Sequence, residues 1–574
     1  MEHKSTSNPG HSSRPKVVII ANYQPLDNDA YIHKRIESDI KRGERISAKF
    51  PSFDYAGTLK EVHKNLLGLV LKMDGRYVDL LDLMNFLRND HEFPSLTPDN
   101  ASRHYSLANT VTLNGIYLYQ YLRRAGYDPV IIQNYTISDI EKILEQDPLA
   151  VCISSTFMYL HDIKEIGRHV KKSGREIPVI AGGVLIKRIL DPGDGLSPQA
   201  LKTYSSFHNI VDAFVIEAQG EQTLIKLLNS LRDRKDLGSV PNLALFDGGG
   251  NMVFTPREQE DLPLDKTAID WQSIPKDYLS STLPVSTSRG CFYRCKFCTY
   301  HWLFPEVTYK SLDVLHDELK RIKELALVKH VRFTDDNFTA NKVRLKKVLE
   351  MMLQESFGFS WSCYARVSAL TPELLKLMKQ AGCVFMDLGI ESGSQPILDN
   401  MDKRLNKGEA LETIKMINNQ GIVIRGSFII GYPGETEATF NETVDFIIES
   451  KMPYFQPYLF TYSNRALVNR ESEQFKLEGL GLSWQHATMN AVEASILMSQ
   501  MIKRIPTSYT DGQTSIEEIN KLLLGKGYSH AQIRELFAHK RELYMETFNS
   551  AATKPFSPKV MGILKDMESL VVEP

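Results

Sequence analysis

The stretch "LPVSTSRGCFYRCKFC", residues 283–298, runs from a short apolar strand pattern directly into three closely spaced cysteines. Cys291, Cys295 and Cys298 are half of the six cysteines in the chain, and three and then two residues separate them. Thiolates at this spacing can meet at one soft metal centre, either zinc or an iron–sulfur cluster. Three thiolates are one short of a closed tetrahedral site, so the motif predicts a metal centre with one open position.

Zinc is the simpler of the two centres, and His301 is placed to complete a Cys3His site. Structural zinc sites are usually built from two ligand pairs on small knuckles, whereas this triplet follows one strand of a long α/β pattern. A four-iron cluster held by three thiolates leaves one iron without a protein ligand, where a substrate or cofactor can bind. The sequence therefore favours the cluster.

Strand and helix patterns alternate around and after the cysteines, over residues 281–465, and six such units can be counted. Six parallel βα units predict an incomplete barrel rather than the closed barrel of eight. Active sites of such barrels lie at the carboxyl ends of the strands, which is where the cysteine motif stands. The six strand patterns are "LPVSTS", "HVRFTD", "FSWSCYA", "VFMDLGI", "VIRGSFII" and "YFQPYLF".

A second α/β pattern covers residues 16–254. It starts with "KVVIIANY", is interrupted by a helical insertion at about 24–108, and resumes with "PVIIQNY", "LAVCISST", "PVIAGG" and "VDAFVIEAQGEQT". Such alternation predicts a Rossmann-like, doubly wound parallel sheet, with a ligand at the strand ends, which here carry Ser, Thr and Gly. No G-x-G-x-x-G follows the first strand, which weakens a dinucleotide-binding interpretation. A purely structural domain stays open on spacing alone.

The remaining segments are a polar, disordered tail at 1–15, a linker at 255–280 and a helical C-terminal region at 466–574. No apolar run approaches the ~20 residues of a membrane span. Lys and Arg (68) nearly balance Asp and Glu (70), which gives no sign of a nucleic-acid partner. The single cysteines Cys152, Cys363 and Cys383 fit reduced core thiols, so we expect a cytoplasmic protein without membrane or nucleic-acid partners.

The motif "SRGCFYRCKFC" resembles the signature of the radical S-adenosylmethionine (SAM) superfamily, including the aromatic Phe297 before its last cysteine. "FTDDNFTAN", "WSCYARVSALTPELLKLMKQAGC", "LGIESGSQPIL" and "GSFIIGYPGET" resemble the later strand ends of that superfamily's partial barrel. "GIYLYQYLRRAGYD", "CISST", "VIAGG" and "VIEAQGEQTL" resemble the cobalamin-binding domain that precedes the barrel in one large subgroup. D-x-H-x-x-G is absent, which implies a cobalt without a histidine from the protein. The usual "GEGE" is only partly matched, at residues 218–221.

The resemblance implies a cobalamin-dependent radical SAM enzyme with a 4Fe-4S cluster, SAM and cobalamin as cofactors. Cys291, Cys295 and Cys298 would be the cluster ligands and the catalytic centre. The implied SAM contacts are Phe297, Asp335, Asp336, Arg366, Glu391, Ser392, Gly426, Ile430 and Gly431, with Asp335 and Asp336 at the methionyl ammonium and Glu391 and Ser392 at the ribose. The implied cobalamin contacts are Asn114, Gly115, Ser154, Ser155, Thr156, Gly182, Gly183, Gln219 and Glu221.

The function implied in this way is methyl transfer from methylcobalamin to an unactivated carbon or a phosphinate phosphorus of a small, natural-product-like molecule. An electron donor such as flavodoxin or ferredoxin would reduce the cluster. Two alternatives stay open: a cyclase or rearrangement enzyme that uses the same cofactors without methyl transfer, and a non-catalytic cobalamin and iron–sulfur sensor.

Overall fold

A computed structural model describes residues 14–22, 26–48, 51–97, 100–133, 135–191, 205–260, 262–512, 514–548 and 552–572. Most of the tail predicted at 1–15 lies outside these residues. The described chain forms two compact units. The first combines the residues up to 22 with those of 112–262, and the second combines residues of 24–111 with those from 263 onward.

The first unit is built on a seven-stranded sheet, and its order confirms the predicted doubly wound fold. The first five strands are parallel in the order β2-β1-β3-β4-β5, and β6 and β7 continue the sheet as an antiparallel hairpin. This order reverses direction between β1 and β3, which is where such sheets bind ligands. The strands are β1 (Lys16–Ile20), β2 (Asp128–Ile132), β3 (Ala150–Ser154), β4 (Val179–Gly182), β5 (Ala213–Val215), β6 (Leu243–Phe246) and β7 (Met252–Phe254).

Helices cover both faces of this sheet, which explains why its central strands read as continuous apolar runs. Val17 to Ile20 in β1 are all fully buried, as expected for a parallel strand with helices on both sides. The apolar faces of the helices bury residues such as Ile163 and Leu227. The helices are Leu113–Arg124, Ile137–Leu144, Leu160–Lys172, Val184–Leu190 and Glu221–Arg232.

The second unit contains the predicted partial barrel. Its six strands are parallel and are neighbours in chain order, from β8 to β13. The strands are β8 (Thr282–Val285), β9 (His330–Phe333), β10 (Ser360–Ala365), β11 (Cys383–Glu391), β12 (Val423–Ile430) and β13 (Tyr454–Leu459). The connecting helices are Leu312–Glu324, Lys342–Glu355, Pro372–Gln380, Gln395–Asn400, Lys407–Asn419 and Glu437–Ser450.

The segment predicted as an insertion of the first domain, at about 24–108, instead packs within the second unit. It forms helices Asn28–Ser47, Tyr55–Leu67 and Leu80–Arg88 and a hairpin of Leu71–Met73 and Arg76–Val78. Polar contacts tie it to the C-terminal region: the Leu80 N–H donates to Asp511 at 3.1 Å and the Thr514 hydroxyl donates to Asp79 at 2.6 Å. Position in the sequence could not predict this packing, because the hydrogen-bond partners of Leu80 and Asn65 lie more than 400 residues away in the chain.

The linker predicted at 255–280 is divided between the two units at residues 262 and 263. From Pro263 onward it packs within the second unit. Short 3-10 turns bury Trp271 and Ile269, and the Ile269 N–H donates to Glu318 at 3.0 Å. Glu318 also accepts from the buried Lys310 ammonium at 2.5 Å. Apolar residues within the linker thus anchor it to the barrel's outer surface.

The C-terminal region is helical, as predicted, but it also contains a small antiparallel sheet of Glu478–Leu480, Ser483–His486 and Met489–Asn490. It covers both edges of the open barrel. The Thr282 hydroxyl of β8 donates to the Lys521 carbonyl at 3.0 Å, and Phe455 of β13 donates to the Tyr509 carbonyl at 3.0 Å. Covered edges prevent a partial barrel from pairing with other strands. The helices are Ser472–Phe475, Ala491–Ser499, Met501–Arg504, Ile516–Gly525, His530–Thr547 and Pro558–Glu568.

Among the described residues, no helix combines the length and the apolar character that crossing a membrane requires.

We predict that replacing Lys540 by methionine destabilises the second unit. Its ammonium lies 2.7 Å from the buried Asp511 carboxylate, and removing one partner of a buried pair costs about 3–5 kcal/mol of unfolding free energy. Lys559→Met is the matched control, because Lys559 and Glu546 form an exposed pair and such pairs contribute little. Chemical denaturation of both variants checks the difference, and equal unfolding midpoints would contradict the assignment.

Candidate functional site

The cysteine loop begins at the carboxyl end of β8, after a two-residue strand, Ser288–Arg289, that pairs with Thr308–Tyr309. Cys295 is buried, whereas Cys291 and Cys298 are half-buried. The Cys298 N–H donates to the Cys295 carbonyl at 3.0 Å, and the Tyr300 N–H donates to the Cys298 sulfur at 3.4 Å. Backbone hydrogen bonds to a cysteine sulfur favour its thiolate form.

Burial raises the pKa of the Cys298 thiol to about 11 and also raises the pKa of Cys291. Thiols of this kind stay protonated at neutral pH unless a positive centre such as a metal is bound. Within the described residues, no three His, Cys, Asp or Glu side chains are grouped tightly enough to hold a single ion. A 4Fe-4S cluster binds each thiolate through a separate iron and accepts wider spacing.

Two carboxylates after β9 hold the start of this loop. Asp335 is buried and accepts three hydrogen bonds of 2.6 Å, from the Thr287 N–H, the Thr287 hydroxyl and the Ser288 hydroxyl. Asp336 accepts from the Gly290 N–H at 2.9 Å. Gly290 has φ +87°, and a β-carbon there would lie 2.3 Å from the Glu306 carbonyl oxygen, so the turn requires glycine.

These contacts give Asp335 a role that the resemblance does not imply. Both of its oxygens accept hydrogen bonds from Thr287 and Ser288, so it positions the loop, and its contact with the SAM ammonium stays a prediction. Asp336 is less buried and holds the loop with a single hydrogen bond. Burial raises its pKa to about 6, and a nearby ammonium would favour its charged form. The predicted ammonium contact therefore stays a prediction for both carboxylates.

Arg366, after β10, places a positive charge against the cysteine loop. Its guanidinium lies 3.8 Å from the centre of the Tyr293 ring, and its Nη1 lies 3.6 Å from the Cys295 sulfur. Its Nη2 is buried and has no hydrogen-bond partner among the described residues. Buried donors without a partner are rare in folded proteins. The arrangement therefore fits an anionic group at this position, such as a carboxylate.

Glu391 and Ser392 end β11 close to the same loop. Glu391 has φ +73°, unusual for a residue with a side chain, and its carboxylate accepts from the buried Lys403 ammonium at 2.9 Å. Lys403 also lies 5.6 Å from the centre of the Phe297 ring. The Ser392 hydroxyl lies 3.2 Å from the Thr443 hydroxyl and accepts from the Ser394 N–H. The predicted ribose contacts stay predictions, and Ser392 is already used in the turn.

Gly426, Ile430 and Gly431, the residues of β12 and its end, lie among side chains of the chain itself. A β-carbon at Gly426 would lie 2.6 Å from the Met452 sulfur, and one at Gly431 would lie 2.4 Å from the Trp484 ring. Ile430 is fully buried. Both glycines are thus explained by packing, and an adenine contact stays a prediction.

Glu435 and His486 complete this end of the barrel. Glu435 is fully buried and accepts from the Gly431 N–H, and burial raises its pKa to about 8. His486 stacks on Trp484, with ring centres 5.3 Å apart, and lies 3.3 Å from the Gly431 carbonyl oxygen. His486 is a packing histidine. Sequence reasoning missed Lys403 and Tyr293, and only the position of Tyr293 inside the cysteine motif offered a signal.

In the first unit, Asn114 lies at the point where the strand order reverses. Its amide Nδ2 donates to the Ala21 carbonyl, just after β1, and to the Ser154 hydroxyl at the end of β3, both at 2.9 Å. Its Oδ1 is buried and has no hydrogen-bond partner in the described part of the chain, as is also true of Asn22 Oδ1 and Gln133 Nε2. Buried polar groups without a partner are rare, so these three fit a polar ligand at this edge. Sequence reasoning missed Asn22 and Gln133.

The other predicted cobalamin residues lie at the same carboxyl edge or next to it. Ser155 is buried and its hydroxyl accepts from the Ile186 N–H at 3.3 Å, whereas Thr156 is exposed. Gly183 has φ +99°, and a β-carbon there would lie 3.2 Å from the Ser155 nitrogen. Gly115 lies in the first helix turn, Gly182 ends β4, and Gln219 and Glu221 follow β5. Small residues therefore line this edge and leave its backbone accessible, which fits a broad, flat ligand.

Residues 285–447 match the model of the radical SAM superfamily. An uncharacterised methyltransferase of Pyrococcus horikoshii is 27% identical over 343 residues, which are 57% of this chain and 70% of that protein. An anaerobic magnesium-protoporphyrin IX monomethyl ester cyclase of Rubrivivax gelatinosus is 24% identical over 344 residues, 57% of this chain and 60% of that protein.

Among solved structures, the radical SAM methyltransferase TsrM of Kitasatospora setae, with tryptophan and a SAM analogue bound, is similar at a TM-score of 0.56. The alignment has 14% identity and covers 77% of this chain and 97% of TsrM. TsrM with cobalamin and a 4Fe-4S cluster bound gives a TM-score of 0.54. At this identity the likeness bears on the fold, and it confirms the predicted α/β architecture.

We predict that Asp335→Ala lowers the cluster content of the purified protein. Each lost hydrogen bond to a charged carboxylate costs about 1.5–3 kcal/mol, so the loop that carries the cysteines should lose its fixed conformation. Iron and sulfide per chain, measured after anaerobic reconstitution, should fall well below the wild-type values. Asp313→Ala, on an exposed helical turn, is the control. An Asp335→Ala protein with full iron content would contradict this role.

A bulky side chain at the exposed Thr156 should weaken cobalamin binding without disturbing the core. We expect Thr156→Trp to raise the dissociation constant for hydroxocobalamin about tenfold or more, equal to about 1.4 kcal/mol. Lys172→Trp, exposed at the opposite end of the following helix, should bind like the wild type. Equilibrium dialysis measures both, and equal affinities would remove Thr156 from the site.

Proposed function

We propose that this chain, whose residues 285–447 match the model of the radical SAM superfamily, is a cobalamin-dependent methyltransferase of that superfamily. The observation that carries the proposal is the cysteine loop at the end of β8 beside the unpartnered Nη2 of Arg366. A cluster site and an anion site side by side are what SAM requires, because SAM offers a carboxylate and an ammonium. The name of the Pyrococcus relative and the likeness to TsrM support methyl transfer.

If bound here, a cluster would supply the electron for the reductive cleavage of SAM, and cobalamin would carry the methyl group. The chain's own residues bind and orient these groups. Cys291, Cys295 and Cys298 would hold the cluster, Arg366 would pair with the SAM carboxylate, and Asp336 would pair with its ammonium. Arg366 is buried, and the attraction between opposite charges is stronger in the low dielectric of a buried site.

Cobalamin would lie on the carboxyl edge of the first sheet, next to Asn114, Ser154 and Gly183. The unpartnered Oδ1 of Asn114 offers an acceptor, and Thr156 offers an exposed hydroxyl. The substrate in this proposal is a small molecule with an unactivated carbon or a phosphinate phosphorus. A small electron-transfer protein, flavodoxin or ferredoxin, would reduce the cluster, with neither a nucleic acid nor a membrane as a partner. Reduced thiols fit the cytoplasm.

A cyclase is the second candidate, because the Rubrivivax relative is a cyclase. The two candidates differ in their use of SAM: methyl transfer converts one SAM to S-adenosylhomocysteine for each methyl group delivered, whereas cyclisation does not. A cobalamin and iron–sulfur sensor would form neither S-adenosylhomocysteine nor 5′-deoxyadenosine. The SAM-derived products therefore separate all three functions.

The test is an anaerobic assay of the chain loaded with iron, sulfide and hydroxocobalamin, with SAM and a reductant. We expect 5′-deoxyadenosine, S-adenosylhomocysteine and cobalamin recovered with a methyl group. Deoxyadenosine without S-adenosylhomocysteine would favour the cyclase. The absence of both products would contradict an enzymatic function. Cys295→Ala should lose the cluster absorbance and both products, whereas Cys363→Ala, at a buried cysteine of β10, should retain them.

A further inference from the structure

Tyr458 is the exposed residue of β13, a strand that is otherwise buried. Its side chain is 44% exposed, whereas the other five residues of the strand are buried. Burial nevertheless raises the pKa of its phenol; the Arg425 guanidinium of β12 opposes this rise, and the carboxylates of Asp387 and Glu391 on β11 add to it. A phenol that faces the two preceding strands points across the inside of the barrel. Its exposed surface therefore borders a space within the barrel.

Gln456 precedes Tyr458 by two residues and lies on the same face of β13. It is 8% exposed, and its side-chain oxygen Oε1 is buried without a hydrogen-bond partner among the described residues. In the sheet register it is next to Ser427 of β12, which is next to Gly389 of β11, and these small neighbours leave space beside it. Because buried acceptors without a partner are rare in folded proteins, the oxygen fits a ligand that donates a hydrogen bond.

An ion-pair network lies on the same strands, two residues nearer to their amino ends. Its carboxylates come partly from helix Ile516–Gly525 of the C-terminal region, which packs against the barrel strands. Each cation of the network has a carboxylate partner among the described residues: Arg425 with Asp387 at 2.5 Å, Arg332 of β9 with Glu517, and Lys521 with Glu518. Positive and negative charges are therefore balanced on this side of the space, and the network offers no spare cation to a ligand.

We propose that Gln456 and Tyr458 bind the substrate, and that the substrate is an uncharged molecule that donates a hydrogen bond, such as an amide or an alcohol. An amide oxygen and a phenol oxygen accept N–H and O–H groups, whereas a phosphinate is bound best by cationic donors. The cations of the network are already paired, and Arg366 is assigned to the SAM carboxylate. This inference rests on the proposed function, and of its two substrate classes it selects the unactivated carbon of a neutral molecule.

Binding of three matched probes tests this substrate class without turnover. Para-fluorobenzamide carries amide N–H donors, its N,N-dimethyl analogue has the same ring without a donor, and para-fluorophenylphosphinate carries the anion. Fluorine NMR titrations with the full-length chain, after reconstitution and with SAM present, give the three dissociation constants. We expect the benzamide to bind about tenfold tighter than either of the other probes, a difference of about 1.4 kcal/mol.

Substitutions assign the binding to these two side chains. Gln456→Leu removes the acceptor and Tyr458→Phe removes only the hydroxyl, and each should weaken benzamide binding about tenfold. Gln354→Leu, at an exposed position of helix Lys342–Glu355, is the matched control and should bind as the wild type does. No measurable benzamide binding, equal affinity for its dimethyl analogue, tighter binding of the phosphinate, or unchanged benzamide affinity in both variants would each overturn the proposal. The test needs no cleavage of SAM, so a failure to form S-adenosylhomocysteine would affect only the methyltransferase proposal.

Discussion

The conformation of the cysteine loop depends on the carboxylate of Asp335. β8 and β9 are parallel neighbours, so their carboxyl ends lie side by side, and the residues after β9 can bind the residues after β8. Asp335 uses this adjacency to accept three hydrogen bonds from Thr287 and Ser288. A buried carboxylate is tolerated only when it is fully hydrogen-bonded, so the loop and the carboxylate require each other. The cysteines that follow therefore start from a fixed position.

In the first unit a neutral side chain, that of Asn114, links neighbouring strand ends in a comparable way. Asn114 joins the ends of β1 and β3 at the point where the sheet reverses its strand order. It holds the two strand ends with its amide nitrogen, and its buried oxygen has no hydrogen-bond partner in the described part of the chain. Small residues after β3 and β4 keep the backbone accessible there. In both units the sheet topology creates the site, and one polar side chain between neighbouring strand ends fixes its shape.

Much of the fold was predictable from the sequence, because strand and helix patterns alternate with clear spacing and the buried strands are apolar runs. The six barrel strands and the five parallel strands of the first unit follow directly from these patterns. The packing of residues 24–111 was not predictable, since its partners, among them Asp511, are distant in the chain. The linker was predicted from the spacing of the strand and helix patterns, which takes no account of its apolar residues. One of these, Trp271, is fully buried.

For the site, the sequence predicted a metal centre from the cysteine spacing and predicted the residues near it from the strand ends. The sequence could not show that both oxygens of Asp335 accept hydrogen bonds from its own chain. Nor could it show that a side chain at position 431 would collide with the Trp484 ring. It also could not show that one nitrogen of Arg366 is left without a partner. Such facts depend on side-chain geometry rather than on residue type.

We propose that one iron of a cluster held by Cys291, Cys295 and Cys298 binds SAM beside Arg366. Electron–nuclear double resonance of the reduced cluster, with SAM isotopically labelled at its amino nitrogen and its carboxylate oxygens, is the decisive measurement. We expect hyperfine coupling to both labelled groups. A cluster spectrum without coupling to either label, in a sample shown by dialysis to be saturated with SAM, would contradict it.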